Sequence, residues 1–213
     1  MNDATPIREA EPAIKRGRKF AQVIEGARAV FMADGYEGAS VDAIARAAGV
    51  SKATLYSYVP DKRLLFMEVA KAECSAQIEG ARGMLAHGAP PREALTAAAH
   101  HMLALVLSEF GRQVFRLCVA ESDRFPELGA EFFATGPAVF KAQMCDYLRA
   151  AVARGELRIA DVPLAADQFI EMCHAELFVE MVFGIRKGVT EAEKRRVVDG
   201  AVETFMARYG AER

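Results

Sequence analysis

Between Arg18 and Pro60, apolar residues recur at steps of three and four, and each run ends at a residue that stops a helix. Phe20, Val23, Ile24, Ala27, Val30 and Phe31 predict one buried face of a helix over about 18–34, stopped by Gly35. Ser40 suits the N-cap of a second helix carrying Val41, Ile44, Ala45 and Ala48, closed at Gly49, where glycine can take a positive φ. Ser51 caps a third. Val59 ends it, because the residue before Pro60 is pushed out of helical geometry. Pro60 and Asp61 suit the first turn of a fourth, longer helix.

The third helix is too short to bury much, and its composition is polar and aromatic. Helix, glycine-containing turn and short helix is the helix-turn-helix arrangement, whose second helix enters the DNA major groove. Ile44, Ala45, Val50 and Leu55 can pack inward, which leaves Lys52, Ala53, Tyr56 and Ser57 on the opposite face at steps of three to five residues. Small Ala53 and Ser57 allow close approach to base edges, and Lys52 can donate to guanine O6 or N7. Thr54, Tyr56 and Tyr58 can donate hydroxyl hydrogens to phosphates, with Lys62 adding charge nearby. Four cations, Lys15, Arg16, Arg18 and Lys19, stand just before the first apolar run and read either as a solvated tail or as an arm reaching for phosphates.

Over residues 18–70, through GYEGASVDAIARAAGVSKATLYSYVPDKRLLF, the sequence resembles the tetracycline repressor (TetR) family of bacterial transcription regulators. The resemblance implies that Gly35 and Tyr36 end the first helix and that Ser40 is the phosphate-facing start of the second. By the same resemblance Lys52, Ala53 and Ser57 face bases, while Thr54, Tyr56, Tyr58 and Lys62 face phosphates. Residues 112–183, including RLCVAESDRFPEL and RGELR, look more loosely like the C-terminal domain of a branch related to multidrug-efflux repressors.

Beyond Pro60 the periodicity remains helical. It predicts helices over about 61–86, 91–109, 111–124, 137–154, 163–186 and 190–209, with a short piece after Pro126. The expected fold is all-α, in three parts: a flexible basic arm over 1–17, a three-helix DNA-binding domain over 18–62, and a larger helical domain over 63–213 for ligand binding and dimerisation. Residues 60–70 are expected to join the two domains rigidly. From Phe169 to Ile185 apolar residues surround the predicted helix on all sides, and Val197, Val198, Ala201, Val202, Phe205 and Tyr209 add a wide stripe. Both helices are therefore expected at a homodimer interface, a four-helix bundle that the family resemblance also implies.

Leu103, Leu107, Phe115, Cys118, Phe140, Met144, Tyr147, Met172, Cys173 and Phe178 supply a pliable apolar interior, with Gln143, His174 and Glu176 as polar handles. In the resembling family this domain binds a small molecule that changes the spacing of the reading helices. Core packing accounts for the same residues equally well.

Charge and motifs narrow the function classes. Residues 1–70 hold 10 Lys and Arg against 9 Asp and Glu, leaving 17 against 20 in residues 71–213 and a net charge of -2 overall. The four cysteines, Cys74, Cys118, Cys145 and Cys173, are widely spaced and read as buried thiols, not as a zinc site or a disulfide framework. Glu171 and His174 have the Glu-x-x-His spacing of di-iron bundles, but that site needs a second copy of the motif, so no metal or other cofactor is expected. No catalytic fingerprint stands in the sequence. A basic-then-apolar leader and a membrane-length apolar run are also missing, so a cytoplasmic protein without membrane association is expected. The expected function is a dimeric repressor of palindromic double-stranded operator DNA, released by an unidentified apolar or amphipathic effector. A ligand-independent DNA-binding regulator and a helical-bundle enzyme or metal protein are the alternatives.

Overall fold

The computed structural model describes residues 17–81, 88–123 and 125–211. Lys15, Arg16 and the rest of the expected arm before Gly17 lie outside the described residues, as does the 82–86 end of the expected fourth helix. The fold is all-α: the described residues form helices joined by turns, and the only β-pairing among them is an isolated bridge between Leu157 and Gly210. No described helix is long and apolar enough to cross a membrane. The chain divides into two compact units, one ending at Val69 and the other beginning at Ala70.

The first unit holds α1 (Phe20–Gly38), α2 (Val41–Ala47), α3 (Lys52–Tyr58) and the start of α4 (Lys62–Ala81). Gly35, at φ 69° and ψ 178°, breaks α1 where a helix stop is predicted, and the chain resumes a helical turn beyond it. Val23, Ala27, Phe31, Ile44, Leu55, Val59 and Phe66 are buried together as the core, with the Phe31 ring meeting Phe66 edge-on at 4.9 Å. Gly26 makes the close approach of α1 to the end of α2 possible. A Cβ there would lie 2.5 Å from the Ala48 amide nitrogen, closer than any side chain can stand.

The second unit contains α5 (Pro91–Val106), α6 (Glu109–Ala120), α7 (Pro126–Thr135), α8 (Pro137–Ala153), α9 (Val162–His174), α10 (Leu177–Val182) and α11 (Glu191–Tyr209). α11 packs on α5 and α9, and α8 packs on α9 and α7. Leu95, Leu103, Met144, Tyr147, Phe169 and Phe205 are fully buried there, and the Tyr147 hydroxyl donates to the Ala89 carbonyl at 2.7 Å. Helix starts are capped by Ser108, by Asp161 and by a reciprocal Thr190 and Glu193 capping box.

Two expectations are corrected here. The single helix expected over 163–186 is broken after His174, with Ala175 extended and Glu176 at φ 62°. Phe169, Cys173, Leu177 and Met181 explain the break, since all four are buried in the same core. In a continuous helix each four-residue step turns the face by about 40°, so Met181 would point about 120° away from Phe169. The second correction concerns α11. Val197, Val198, Ala201, Val202 and Phe205 are buried within the chain itself, in the core shared with α5 and α9, and are not available to a second copy. Between Phe169 and Ile185 the large apolar residues left exposed are Val179, 58% exposed, and Phe183 and Ile185, both 76% exposed.

Candidate nucleic-acid interface

Local caps set the geometry of α2 and α3. The Ser40 hydroxyl accepts from the Ala43 amide at 3.1 Å, and the Ser51 hydroxyl accepts from the Thr54 amide at 3.1 Å. Ser51 and Thr54 share a further hydroxyl contact of 2.8 Å, and the Ser57 hydroxyl donates to the Thr54 carbonyl at 2.6 Å. Gly49, at φ 61°, turns the chain between the helices. Leu55 and Val59 are buried and anchor α3 from below.

The opposite face is bare. Lys52, Ala53, Tyr56 and Ser57 are exposed, whereas Thr54, Tyr58 and Lys62 are half-buried at its margins. Ser40 is exposed at the start of α2, and Arg18 and Lys19 are exposed before α1. The Tyr58 ring stands edge-on to Phe20 at 6.5 Å, and the Lys62 ammonium lies 4.5 Å from the centre of the Tyr36 ring, a cation–π contact that holds it near the start of α4. Two short side chains flanked by an ammonium, a phenol and hydroxyls let a helix sit against a groove edge while donors reach phosphates.

One partner was not anticipated from sequence. The Lys52 ammonium lies 3.1 and 3.2 Å from the two Asp42 carboxylate oxygens, so the lysine on the bare face is paired with an acid from the first turn of α2. The two residues stand ten apart, and only the turn of the motif brings them together. Tyr36, the platform under Lys62, was expected only as part of the end of the first helix.

In the larger unit the expected effector residues do not converge on one cavity. Leu103, Met144, Tyr147 and Cys173 are fully buried and Leu107 nearly so, as members of the packed core. Phe140, Met172 and Phe178 pack against that core half-buried; Cys118 and Gln143 are half-buried, and Phe115 is exposed on α6. Met172 borders one open hollow of about 300 Å³ with Gln168, Phe205 and Tyr209, and Leu107 borders another of about 240 Å³ with Arg112, Met181 and Lys187. Glu176 points outward and pairs with Arg196. Burial pushes the Cys74 and Cys118 thiols up to about 11 and Cys173 up to about 12, so these thiols stay protonated.

His174 stands apart. Its Nδ1 lies 3.8 Å from a Glu171 carboxylate oxygen, while its Nε2 is buried with no hydrogen-bond partner. Burial lowers its pKa against the opposing pull of Glu171, so the ring is neutral near pH 7. Among the described residues no group of three His, Cys, Asp or Glu side chains is placed to hold a metal ion.

Comparisons with known proteins agree with this geometry. Residues 23–69 match the model of bacterial regulatory proteins of the tetR family, and residues 93–211 match the C-terminal domain of AefR-like transcriptional repressors. A transcriptional regulator of that family from Mesorhizobium loti is 30% identical in sequence, with a TM-score of 0.80 over 91% of this chain and 97% of the other. The flavonoid-responsive regulator FrrA is 32% identical, with a TM-score of 0.67 over 93% of this chain and 100% of its own. The transcriptional repressor AcnR of Corynebacterium efficiens is 34% identical over 58 residues, which is 27% of this chain and 31% of that protein.

Proposed function

Because the chain belongs to the tetR family of transcriptional regulators, we propose that it is a homodimeric repressor that binds a palindromic double-stranded operator and releases it when a small apolar or amphipathic molecule enters the larger unit. The observation that carries this reading is the bare face of α3, where Lys52, Ala53, Tyr56 and Ser57 are exposed above a buried Leu55. Lys52, Ala53 and Ser57 face bases in this reading. Ser40, Thr54, Tyr56, Tyr58 and Lys62 hold phosphates and set the register. The protein works in the cytoplasm, where its operator is.

Exposed Val179, Phe183 and Ile185 support self-association, since three large apolar side chains exposed close together in the chain gain by being covered. A two-fold dimer reads two half-sites about one helical turn or a multiple apart. Effector response is supported by the likeness to FrrA, described as flavonoid-responsive. For release, the effector must prefer the conformation with misplaced reading helices, and operator DNA must then weaken effector binding by the same factor. α4, which continues from the first unit into the second, carries the shift.

Selecting bound sequences from a random duplex pool tests the reading. The expected product is a palindrome, bound by a species that sediments as a dimer and that Phe183→Asp converts to a weakly binding monomer. Enrichment of no sequence, or of a single asymmetric half-site bound by monomer, would refute it.

A further inference from the structure

The hollow of about 240 Å³ bordered by Leu107 lies where the end of α5 and the start of α6 meet α10 and the segment leading into α11. One part of its wall is apolar, formed by Ala104, Leu107, Met181 and Val189. The rest carries three cations, Arg112, Lys187 and Lys194, and none of the nine lining residues is an acid. In a chain whose net charge is -2, that is a local excess of one sign. Like charges around a small hollow raise one another's electrostatic energy, and an anion held among them lowers it.

Partners within the chain account for only part of that charge. Lys194 is half-buried and meets the exposed Glu191 carboxylate at 2.7 Å. Lys187 is exposed and has no partner among the described residues. Arg112 gives one N–H to the Leu107 carbonyl, which leaves the rest of its guanidinium fork unpartnered among the described residues. Other acids flanking these segments are committed elsewhere: Glu180 and Glu193 hold Arg186 at 2.9 and 2.6 Å, and Glu109 takes the Gln113 amide at 3.3 Å. The Ser108 hydroxyl is also engaged, accepting from the Gly111 amide at 2.9 Å and donating to the Leu105 carbonyl at 2.7 Å. Among the lining side chains, the cations are what remains to meet a guest.

We propose that this hollow binds a small amphiphilic anion, its carboxylate or phosphate head on Lys187, Lys194 and Arg112 and its short apolar limb against Leu107, Met181 and Val189. Both walls are needed to select that guest. A bare inorganic anion gains nothing from the apolar side, and a neutral apolar molecule strips water from the cations without returning a charge. The volume lies below the ~300–1,000 Å³ of sites for drug-sized ligands, so the limb is short. The proposal names the effector class for the repressor reading and rests on that reading only for the release of DNA. Binding at the hollow is measured without DNA.

Four probes with the same limb separate the possibilities when titrated calorimetrically into the full-length chain at low salt: hexanoate, hexyl phosphate, 1-hexanol and hexylamine. Both anions are expected to bind about tenfold or more tightly than hexanol, the range of a charge-assisted contact, and hexylamine more weakly still. Whichever anion binds more tightly identifies the head group. From acetate to hexanoate, each added methylene should raise affinity by up to about fourfold. Lys187→Gln and Lys194→Gln each remove a charge without opening the core, and each should weaken anion binding about two- to tenfold while hexanol binding stays unchanged. The double variant should hardly separate hexanoate from hexanol. Equal binding of hexanoate and hexanol by the unaltered protein would overturn the site, as would anion affinity unmoved in the folded double variant. Release of the selected duplex is measured alongside. Release by hexanol with no anion preference would overturn the site and leave the repressor reading standing, whereas a strong, lysine-dependent anion preference without release would uphold the site and remove its regulatory role.

Discussion

The two units dispose their polar groups in opposite ways. In the first, each capping hydroxyl finds its partner three residues away, and the side chains that remain, Lys52, Tyr56 and Ser57, project outward from α3. In the second, the one buried side-chain polar atom among the described residues without a partner is His174 Nε2, turned inward, and the key packing joins helices far apart in sequence, as where Phe169 meets Phe205 at 5.3 Å. A surface built from local contacts tolerates substitution on its bare face but depends on backbone fit beneath it. A core built from distant contacts tolerates almost nothing that is charged. That contrast can be tested by asking which unit each substitution damages.

The largest effect is expected at Phe205→Arg. Phe205 is fully buried between α5, α9 and the rest of α11, so an arginine there loses the ring packing against Phe169 and brings a charge into an apolar core. The loss should exceed about 4 kcal/mol, a large part of an ordinary domain's stability. Unfolding in urea should show the larger unit lost outright. A folded, monomeric Phe205→Arg protein would mean instead that this residue meets a second copy.

Next in size is Gly26→Ala, which strikes the first unit from beneath. Its Cβ would collide with the Ala48 backbone, an overpacking cost of about 1–3 kcal/mol that alanine's better helix propensity offsets by up to about 1 kcal/mol. Operator binding should fall while unfolding of the larger unit, followed by the burial of its tyrosines, stays unchanged. Parallel loss in both units would break the comparison.

The same contrast explains how much could be read in advance. Ser40, Gly49, Ser51 and Pro60 specify α2 and α3 by rules that span four residues, so helix ends and the outward face of α3 were legible. The break after His174 was not, because nothing local demands it: no proline or glycine stands there, and the cause is the need of Leu177 and Met181 to reach a core made by other helices. α11 misled for a related reason. Its apolar stripe is wide enough in the sequence to suggest a second copy, yet α5 and α9 cover it within the chain. Asp42 escaped notice because its link to Lys52 spans the turn.

Helix caps make a matched pair, one per unit. Ser51→Ala and Thr190→Ala should each cost about 1 kcal/mol, but only the first should weaken DNA binding, since Ser51 sets the start of α3. The second cap also titrates. The Thr190 amide and hydroxyl, then Arg186, hold the Glu193 carboxyl down at about 2, against an ordinary value of 4.5. A depressed carboxyl contributes stability above its unfolded pKa and loses it as pH falls through 4.5 toward 2. Melting temperature in that window should therefore fall less steeply in Glu193→Gln than in the unaltered protein.

The smallest effect on stability, and the sharpest on function, is expected at Asp42. Its pair with Lys52 is exposed on both sides, so Asp42→Asn should change stability by less than about 1 kcal/mol. On DNA the outcome differs. The carboxylate competes with any acceptor offered to Lys52, and it repels every phosphate that approaches the bare face. Removing it should tighten binding to all duplexes, but more to non-operator DNA, where Lys52 has no guanine to reward its release from Asp42. Discrimination should drop, and the slope of log affinity against log salt should steepen by about one contact. Lys62→Ala should do the reverse to the slope while weakening operator and non-operator binding about equally, as expected for a phosphate contact. Lys52→Ala, by contrast, should erode discrimination with little change elsewhere. If titrations across salt find Asp42→Asn and Lys62→Ala moving discrimination alike, the bare face of α3 does not divide into base-reading and phosphate-holding residues, and the reading unit is less local than its caps suggest.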